Sequence, residues 1–308
     1  MELTAIEQDR ARGVLLGTAV GDALGAGYEF GYPSNETAIA MIGGGAFDWA
    51  PGEWTDDTSM ALCVARALEQ GGDVDEVAEQ FRDWFDQDPP DVGNQTRLVL
   101  SQRSRSGADM TAVAASLAGR TGGNGSLMRT APIALAYLDD PAGCRDAAER
   151  ISALTHSDPR AGQACRMWSH AIRFAVRHGT YGGVCEFLDE AEADVREFWQ
   201  PLLRQAQEGQ PSDFPNNGWV VHALQTAWWA IHRSDDAERP LPAALELCVR
   251  AGGDTDTTAA IAGGLLGARW GASAVPSEWR DIVHGYPELR ADDLDRITSN
   301  IIAKKGLS

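Results

Sequence analysis

The chain has 308 residues and carries a formal net charge of −19 at pH 7, from 26 Lys and Arg against 45 Asp and Glu. Its composition, with 44% hydrophobic and 23% charged residues, is typical of a globular protein and excludes a disordered chain. The acidic excess argues against binding to nucleic acid or to an anionic membrane surface, because both depend on clustered Lys and Arg.

Helical periodicity dominates the sequence and predicts an all-α protein. Thirteen helices are predicted, over residues 6–26, 57–70, 74–85, 95–103, 110–118, 126–137, 141–154, 159–178, 184–207, 219–233, 242–251, 257–270 and 289–303. Alternating strand patterns bounded by hairpin turns are nearly absent, and no loop is long or polar enough to be a domain linker. We therefore expect a single all-α domain over residues 1–308.

The first predicted helix carries a glycine at every fourth position, namely Gly13, Gly17, Gly21 and Gly25. A glycine inside a helix costs about 1 kcal/mol relative to alanine, so the repeat needs a structural reason. Because residues four apart share one helix face, the pattern predicts very close packing of this helix against a neighbour.

Cysteine usage and the lack of an apolar span favour a cytoplasmic location. Cys63, Cys144, Cys165, Cys185 and Cys248 form no C-x-x-C pair and lie in helical, apolar surroundings, as reduced thiols do. The stretch MELTAIEQDRARG is acidic and amphipathic rather than a signal peptide. No run of about 20 apolar residues is present to span a bilayer.

Two acidic clusters each precede an apolar helix, WTDDTSMAL from Trp54 and AGGDTDTTAA from Ala251. Either cluster by itself is typical of a helix N-terminus, where Asp and Thr cap the helix and the dipole favours negative charge. Together they offer carboxylate and hydroxyl oxygens, the ligands that Mg²⁺ and Mn²⁺ take, without His or Cys. If the two helix starts meet, four carboxylates need roughly two divalent cations to neutralise them.

The run DTDTT, residues 254–258, also matches the D-x-D-x-T nucleophile motif of haloacid-dehalogenase-like phosphatases. That fold needs an apolar strand before the first aspartate and a catalytic lysine after it. Here AGG precedes Asp254, and the two lysines, Lys304 and Lys305, lie at the C-terminus, which disfavours this interpretation. The sequence also lacks the G-x-S-x-G motif of serine hydrolases and the P-loop of NTPases.

Five motifs, in order along most of the chain, resemble the ADP-ribosylglycohydrolase family, which includes the dinitrogenase reductase-activating glycohydrolase and the vertebrate ADP-ribosylhydrolases. They are GVLLGTAVGDALGAGYEF, WTDDTSMAL, GNGSLMRTAPIAL, THSDPRAG and AGGDTDTTAAIAGGLLGA. The resemblance implies an orthogonal multi-helix bundle with a binuclear Mg²⁺ or Mn²⁺ centre in a cleft.

Carried over by position, the resemblance implies a set of oxygen ligands for the two metals. These ligands are Thr55, Asp56, Asp57, Asp254, Asp256 and Thr257. It also implies catalytic roles for Glu29, Asp57 and Asp256, with Glu29 reaching the metals or an activated water. A solvated Glu29 beyond the end of a helix is the alternative that the residue alone leaves open.

The same resemblance implies a substrate-binding group along the cleft. Its members are Asn124, Gly125, Ser126, Arg129, His156 and Trp219. The loop at Asn124 would lie along the ribose and diphosphate, since glycines let backbone N–H groups approach phosphate oxygens. His156 would lie near the distal ribose and Trp219 would stack on the adenine. Taken alone, Arg129 also suits a surface salt bridge and His156 a capping or core position.

The segment DVGNQTRLVL, residues 91–100, resembles a stretch of the arginine-directed members of the family. Asp91 would bind a guanidinium through two parallel hydrogen bonds, and Asn94 would cap the next helix and face the substrate. A solvated loop aspartate is the alternative for Asp91.

The expected function is a metal-dependent hydrolase that cleaves the glycosidic bond at the anomeric carbon of the ribose. Its substrate would be an ADP-ribosylated protein or small molecule, with ADP-ribosyl-arginine favoured, and ADP-ribose would be released. The alternative is a non-catalytic ADP-ribose-binding or crystallin-like structural protein on the same fold.

Overall fold

The computed structural model describes residues 3–304, and within them the protein is all-α, as predicted. The helices are α1 (Ala5–Gly25), α2 (Asp56–Glu69), α3 (Val74–Phe85), α4 (Asn94–Leu100), α5 (Gly107–Ser116), α6 (Ile133–Ala136), α7 (Pro141–Ala153), α8 (Pro159–His178), α9 (Gly183–Glu190), α10 (Ala193–Glu208), α11 (Val220–Ser234), α12 (Pro240–Ala251), α13 (Thr255–Trp270), α14 (Ser277–Ile282) and α15 (Ala291–Lys304). A two-stranded antiparallel hairpin, β1 (His284–Gly285) and β2 (Leu289–Arg290), precedes α15. The ends of the predicted 1–308 domain, residues 1–2 and 305–308 with Lys305, lie outside the described residues.

Helices α1 and α13 form the centre of the fold and run antiparallel in direct backbone contact. Gly13 faces Gly267 and Gly17 faces Gly263, and a Cβ atom at any of these four positions would overlap the carbonyl of its partner. Close packing of the glycine face, predicted from its four-residue repeat, is therefore confirmed.

The antiparallel arrangement places the C-terminal end of α1 beside the N-terminal end of α13. Thr255 Oγ1 donates to the carbonyl oxygen of Gly25 at 2.9 Å and joins these two ends. The start of α2 is attached to the same place, because the Thr55 N–H donates to Asp22 Oδ1 at 2.9 Å. The two acidic clusters of the sequence thus meet at one end of the central helix pair.

One continuous apolar core surrounds this pair and includes several fully buried indoles. Trp54, Trp84, Trp168 and Trp199 are each at most 1% exposed. Trp168 reaches the central pair directly, since its Nε1–H donates to the carbonyl oxygen of Ile261 in α13 at 2.8 Å. Between residues 3 and 304, no helix combines the length and the hydropathy needed to cross a bilayer.

The predicted helix over residues 184–207 is wrong in one respect, because two helices occupy this region. Ala191, which follows α9, and Glu192, which precedes α10, both take extended backbone. Leu188 and Val195 on either side are buried and seven residues apart, which is two helical turns. The apolar period therefore continues across the break, and periodicity alone could not locate it.

The predicted helix over residues 126–137 is replaced by turns and the four-residue α6. Pro132 has no backbone N–H and disfavours helical geometry at the preceding residue. Four-residue turns form instead, with the Leu127 N–H donating to the Asn124 carbonyl and the Ile133 N–H donating to the Thr130 carbonyl. This compact turn decides which side chains of the segment reach the cleft.

The hairpin and the six-residue α14 were not predicted, because two-residue strands are too short to produce an alternating pattern. The hairpin contacts the segment just before α2: the Trp54 N–H donates to the His284 carbonyl at 2.9 Å, and Trp54 Nε1–H donates to the Tyr286 carbonyl at 3.3 Å. These bonds hold Trp54 in place immediately before the first acidic cluster.

Candidate active site

The centre of the site is a group of three buried carboxylates from three different helices. Asp22 lies in the last turn of α1, Asp57 in the first turn of α2 and Asp256 in the first turn of α13. One oxygen from each lies within 4.8 Å of the other two. Each is at most 2% exposed, so water does not screen them from one another.

Asp22 is held by the start of α2. It accepts from the Thr55 N–H at 2.9 Å, from the Thr58 N–H at 2.9 Å and from the Thr58 hydroxyl at 2.6 Å. These bonds satisfy backbone donors that a helix N-terminus leaves without intrahelical partners. Burial nevertheless raises the pKa of Asp22 to about 7.

Asp57 and Asp256 are buried beside the other carboxylates of the group. The pKa of each is raised well above its usual value, first by burial and then by neighbouring carboxylates. Asp57 Oδ2 accepts from the Thr55 hydroxyl at 3.1 Å and from the Thr257 hydroxyl at 3.3 Å. Asp57 Oδ1 is buried and has no hydrogen-bond partner within residues 3–304.

A second group of carboxylates, Glu29, Asp91 and Asp256, shares Asp256 with the first, and their oxygens also lie within 4.8 Å of one another. Glu29 follows α1, and its position is set by the next residue, since the Phe30 N–H donates to the Gly253 carbonyl at 2.7 Å. Burial and then Asp254 raise the pKa of Glu29 to about 9. Its Oε2 atom is buried with no partner in the described chain.

Asp56 and Asp91 connect this second group to the loop before α4. Asp56 Oδ2 accepts from the Gly93 N–H at 3.3 Å. Burial first, and the charge of Asp91 next, raise the pKa of Asp56 to about 8. The pKa of Asp91 rises to about 6 by burial and by Asp254. At neutral pH, these carboxylates cannot all ionise without a positive partner.

A divalent cation fits this donor set. Its atoms are carboxylate and hydroxyl oxygens, and two of them, Asp57 Oδ1 and Glu29 Oε2, are buried without a partner. Among residues 3–304, none of the clustered carboxylates forms an ion pair with Arg or Lys. Unpaired buried charge of this kind is typical of sites for Mg²⁺ or Mn²⁺, which prefer hard oxygen ligands.

The acidic groups open into a cleft of about 1070 Å³. Predicted site residues that line it are Glu29, Asp56, Asp91, Asn94, Asn124, Gly125, His156, Trp219, Asp254, Asp256 and Thr257. Thr55 and Asp57 lie directly behind this wall, at most 1% exposed and joined to each other by a hydrogen bond. The structure thus assembles both predicted ligand clusters and most of the predicted substrate contacts in one place.

Asn124 connects the substrate loop to the second acidic cluster. Its Nδ2 donates to Asp254 Oδ2 at 2.7 Å and to the Asn217 carbonyl at 2.9 Å. Gly123 forms a bridge with Trp219, and the Val220 N–H donates to the Gly122 carbonyl at 3.0 Å. These contacts hold the Trp219 indole at the cleft, half-buried and beside the loop.

Two predicted substrate contacts are corrected by the structure, because Ser126 and Arg129 do not reach the cleft wall. The turn after Asn124 directs both side chains inward, where each is fully buried. Ser126 Oγ accepts from Ser152 Oγ at 2.9 Å. Arg129 lies over the Phe81 ring at 4.4 Å and donates inside the core, so neither side chain is placed to contact a ligand directly.

A third correction concerns the helix that follows Asp91. Asn94 was expected to cap this helix, but Gly93 occupies the N-cap and no side chain caps α4. Asn94 is the first residue of the helix instead, and its side chain lines the cleft. The predicted capping role is therefore wrong, and contact of Asn94 with the substrate stays a prediction.

Sequence reasoning missed Asp22 and Asn217. Asp22 was visible as a charged residue in the otherwise small and apolar run GTAVGDALG, where burial needs a compensating partner. Asn217 accepts from the Asp254 N–H at 3.0 Å and donates to the Gly252 carbonyl at 2.8 Å. No sequence pattern marked Asn217 as a site residue, because it lies in a loop and its partners, Gly252 and Asp254, are distant in sequence.

Comparisons with known proteins all indicate one family. A model of the ADP-ribosylglycohydrolase family matches residues 3–307. "ADP-ribosylarginine hydrolase Tri1" of Pseudomonas putida (strain GB-1) is 32% identical, over 88% of this chain and 73% of that protein. "ADP-ribosyl-[dinitrogen reductase] glycohydrolase" of Rhodospirillum rubrum is 33% identical, over 88% of this chain and 89% of that protein.

A solved structure described as "ADP-ribosylglycohydrolase-related protein complex" has the same fold. It superimposes with a TM-score of 0.77 and 31% sequence identity, over 98% of this chain and 100% of the solved chain. The family model, the relatives and the shared fold all extend over nearly the whole chain. This protein therefore belongs to the ADP-ribosylglycohydrolase family.

Proposed function

We propose that this protein hydrolyses the glycosidic bond at the anomeric carbon of the ribose in ADP-ribosylated substrates and releases ADP-ribose. The observation that carries the proposal is the meeting of two acidic helix starts in one cleft, with Asp256 belonging to both carboxylate groups. The relatives support the same reaction, since their names describe ADP-ribosylarginine hydrolases and an ADP-ribosyl-dinitrogen reductase glycohydrolase.

Two Mg²⁺ or Mn²⁺ ions are proposed as cofactors. The side chains that would hold them are Thr55, Asp56, Asp57, Asp254, Asp256 and Thr257. When bound, such ions neutralise the carboxylates, orient ribose hydroxyls and increase the acidity of a bound water. Asp22 supports this site from behind, because it fixes the backbone of Thr55 and Thr58 through hydrogen bonds.

Glu29 is the proposed proton acceptor. Its Oε2 atom has no partner within residues 3–304, and the carboxyl group lines the cleft. With the cluster neutralised, Glu29 ionises and takes a proton from the water whose oxygen attacks the ribose carbon. The bond from that carbon to the leaving group breaks, and the leaving group receives a proton from solvent. Nearby carboxylates stabilise the positive charge that develops on the sugar ring.

The remaining cleft residues suit the rest of the substrate. In the Asn124–Gly125 loop the Asn124 N–H donates to the Gly218 carbonyl at 3.2 Å, so the backbone N–H of Gly125 is the donor proposed for the diphosphate. The Trp219 indole offers a stacking face to the adenine. Asp91 lines the cleft beside Glu29 and is proposed to bind the guanidinium of an ADP-ribosyl-arginine substrate. ADP-ribosyl-arginine is therefore the favoured substrate.

The cytoplasm is the proposed location. All five cysteines are unpaired, and all but Cys185 are buried. Burial raises the pKa of the Cys63, Cys144 and Cys248 thiols, which keeps them protonated and unreactive in a reducing compartment.

The deciding experiment is a hydrolysis panel of ADP-ribosyl-arginine and ADP-ribosyl-serine adducts, with EDTA and with added Mg²⁺ or Mn²⁺. Release of ADP-ribose that stops in EDTA and returns with metal is the expected result. ADP-ribose binding without turnover of either adduct would contradict the enzyme proposal and leave the non-catalytic alternative.

A further inference from the structure

A buried arginine, a threonine and a cleft histidine form a continuous hydrogen-bonded row. Arg129 NH2 donates to Thr155 Oγ1 at 2.7 Å and to the Ile151 carbonyl at 3.2 Å. Thr155 Oγ1 lies 2.8 Å from His156 Nδ1. Arg129 and Thr155 are fully buried, and His156 is 3% exposed and lines the cleft. The row therefore runs from the core to the cleft wall.

The hydrogen-bond partners of Thr155 Oγ1 decide which ring nitrogen of His156 carries the proton. An arginine guanidinium only donates, so Thr155 Oγ1 is the acceptor in the first bond. The threonine hydroxyl has a single proton, and it is then free to donate to Nδ1. Among residues 3–304 the hydroxyl proton has no other acceptor than Nδ1, so Nδ1 accepts, and a neutral imidazole that accepts at Nδ1 carries its proton on Nε2. Burial, followed by the charge of Arg129, lowers the pKa of His156 to about 3, so the ring is neutral.

Nε2 faces the substrate loop. A Cβ atom at Gly123 would lie 3.3 Å from Nε2, and one at Gly125 would lie 3.4 Å from it, so the two glycines leave room for the ring edge. Within residues 3–304, Nε2 forms no hydrogen bond. A donor without a protein partner is thus presented where the Asn124–Gly125 loop lines the cleft.

We propose that Arg129 and Thr155 are positioning residues that fix His156 in the Nε2–H form, so that Nε2 donates a hydrogen bond to an acceptor oxygen of bound ADP-ribose. The inference rests on the proposed function for the identity of the ligand. The guanidinium occupies one of the two lone pairs of the hydroxyl oxygen and so fixes its orientation. Without the guanidinium, the hydroxyl can rotate and accept from Nδ1–H as readily as it donates to Nδ1. Nε2 would then present a lone pair to an oxygen that is also an acceptor, and the two would repel.

The direct test is the protonation of the two ring nitrogens. In protein with ¹⁵N-labelled histidine, long-range ¹H–¹⁵N spectra distinguish a protonated from an unprotonated ring nitrogen. We expect Nε2 to be protonated in the wild type and in Thr155→Ser, and both nitrogens to show mixed character in Thr155→Val. An Nδ1-protonated ring in the wild type, or an unchanged ring in Thr155→Val, would overturn the proposal.

Binding supplies the second readout. Loss of one good hydrogen bond corresponds to about tenfold in Kd. Thr155→Val should weaken ADP-ribose binding by about that factor, and Thr155→Ser should restore it. His156→Gln places an amide N–H near the position of Nε2 and should bind more tightly than His156→Asn, whose amide matches Nδ1. Equal affinities within either pair would contradict a role for the Nε2 donor.

The two proposals fail in different ways. If the wild type shows no ADP-ribose binding at all, the proposed function is wrong, whereas the ring spectra still decide the tautomer. Arg129→Met should produce the same mixed ring signals as Thr155→Val if it folds. Because that variant removes a buried cation, the decision rests on the threonine and histidine pairs.

Discussion

Thr257 Oγ1 donates to Asp57 Oδ2 at 3.3 Å and joins two residues that are 200 positions apart. The same oxygen accepts from Thr55 at 3.1 Å, while Asp57 Oδ1 is buried and unpartnered in the part of the chain that the structure describes. One carboxylate therefore connects both acidic clusters and keeps one oxygen available between them. Because this contact joins distant parts of the sequence, it cannot be seen in either cluster alone, and each cluster by itself indicated only a helix start.

Asp57→Asn should abolish hydrolysis and stabilise the metal-free protein. Burial and the charges of Asp22 and Asp56 raise the pKa of the Asp57 carboxyl group. The substitution replaces this group with a neutral amide, so the repulsion between carboxylates in the cluster falls. We expect activity with added Mg²⁺ or Mn²⁺ to fall by at least about a hundredfold. The melting temperature in EDTA at pH 8 should rise by several degrees, as measured by circular dichroism.

Asp281→Asn is the control for this change, because Asp281 is an exposed aspartate in α14. It should leave both activity and melting temperature unchanged. An Asp57→Asn protein that keeps full turnover would exclude Asp57 as a ligand. A lower melting temperature in EDTA would show that its hydrogen bonds outweigh the repulsion.

The metal-free protein should become less stable as pH rises. A carboxyl with a raised pKa binds more protons in the folded than in the unfolded state, so deprotonation favours unfolding. The free energy of unfolding should be highest below about pH 4, near the pKa of these carboxyl groups in the unfolded chain. It should fall as the pH rises through their pKa values in the folded protein, which are about 7 for Asp22, about 8 for Asp56 and about 9 for Glu29.

The measurement is urea unfolding in EDTA from pH 4 to pH 9, repeated with Mg²⁺ or Mn²⁺. Bound cations should flatten the decline, because they favour the ionised carboxylates in the folded state. The same slope with and without metal would mean that the ions do not bind these carboxylates.

Most of the helices and the meeting of the acidic clusters could be predicted from the sequence, for different reasons. Helix α8 was predicted at its observed bounds, since its apolar period is regular and Asp158 and Gly179 mark its ends. The meeting of the two clusters was predicted because both contain Asp and Thr and both are followed by an apolar helix. Asp22 was missed because a single carboxylate carries no spacing pattern, although it lies within 4.8 Å of two predicted ligands.

The direction of side chains in irregular turns could not be predicted. Arg129 was expected in the cleft because the family resemblance implies that it belongs to the substrate-binding loop. The turn that Pro132 favours directs this arginine into the core, where Thr155, the Ile151 carbonyl and the Phe81 ring receive it. Such a turn produces no periodic pattern in the sequence. The direction of its side chains therefore depends on contacts with residues distant in sequence.

Trp219→Ala should weaken ADP-ribose binding by roughly ten- to a hundredfold, since stacking of a base on an aromatic ring is worth roughly 1–3 kcal/mol. The indole is half-buried, lines the cleft and is held by the bridge between Gly123 and Trp219. Titration calorimetry with ADP-ribose measures the change. Trp219→Phe, which keeps a stacking face, is the control and should lose less affinity. Unchanged affinity in the alanine variant would place the adenine elsewhere.

Asp91→Asn should reduce the preference for ADP-ribosyl-arginine over ADP-ribosyl-serine by roughly tenfold. A carboxylate binds a guanidinium through two charge-assisted bonds, whereas the amide of the same size keeps only one acceptor. Hydrolysis of the serine adduct and binding of free ADP-ribose should change little. The ratio of kcat/KM for the two adducts measures the effect. An unchanged ratio would assign arginine recognition to another residue.

Gly17→Ala should destabilise the protein by at least about 1–3 kcal/mol, the usual cost of overpacking a core. A Cβ atom at Gly17 would overlap the Gly263 carbonyl in α13, and backbone on both sides leaves nothing that can rotate away. Because the two helix ends carry Asp22 and Asp256, forcing the helices apart should also weaken metal binding.

Gly162→Ala is the matched control, because Gly162 is also buried in a helix, α8, yet a Cβ there would meet only Glu149 at 3.5 Å. Alanine is the better helix former by about 1 kcal/mol, so this variant should be as stable as the wild type or more stable. Urea unfolding of both variants gives the comparison. Equal stability of the two would mean that α1 and α13 can separate without cost, and the close packing would then not explain the glycine repeat.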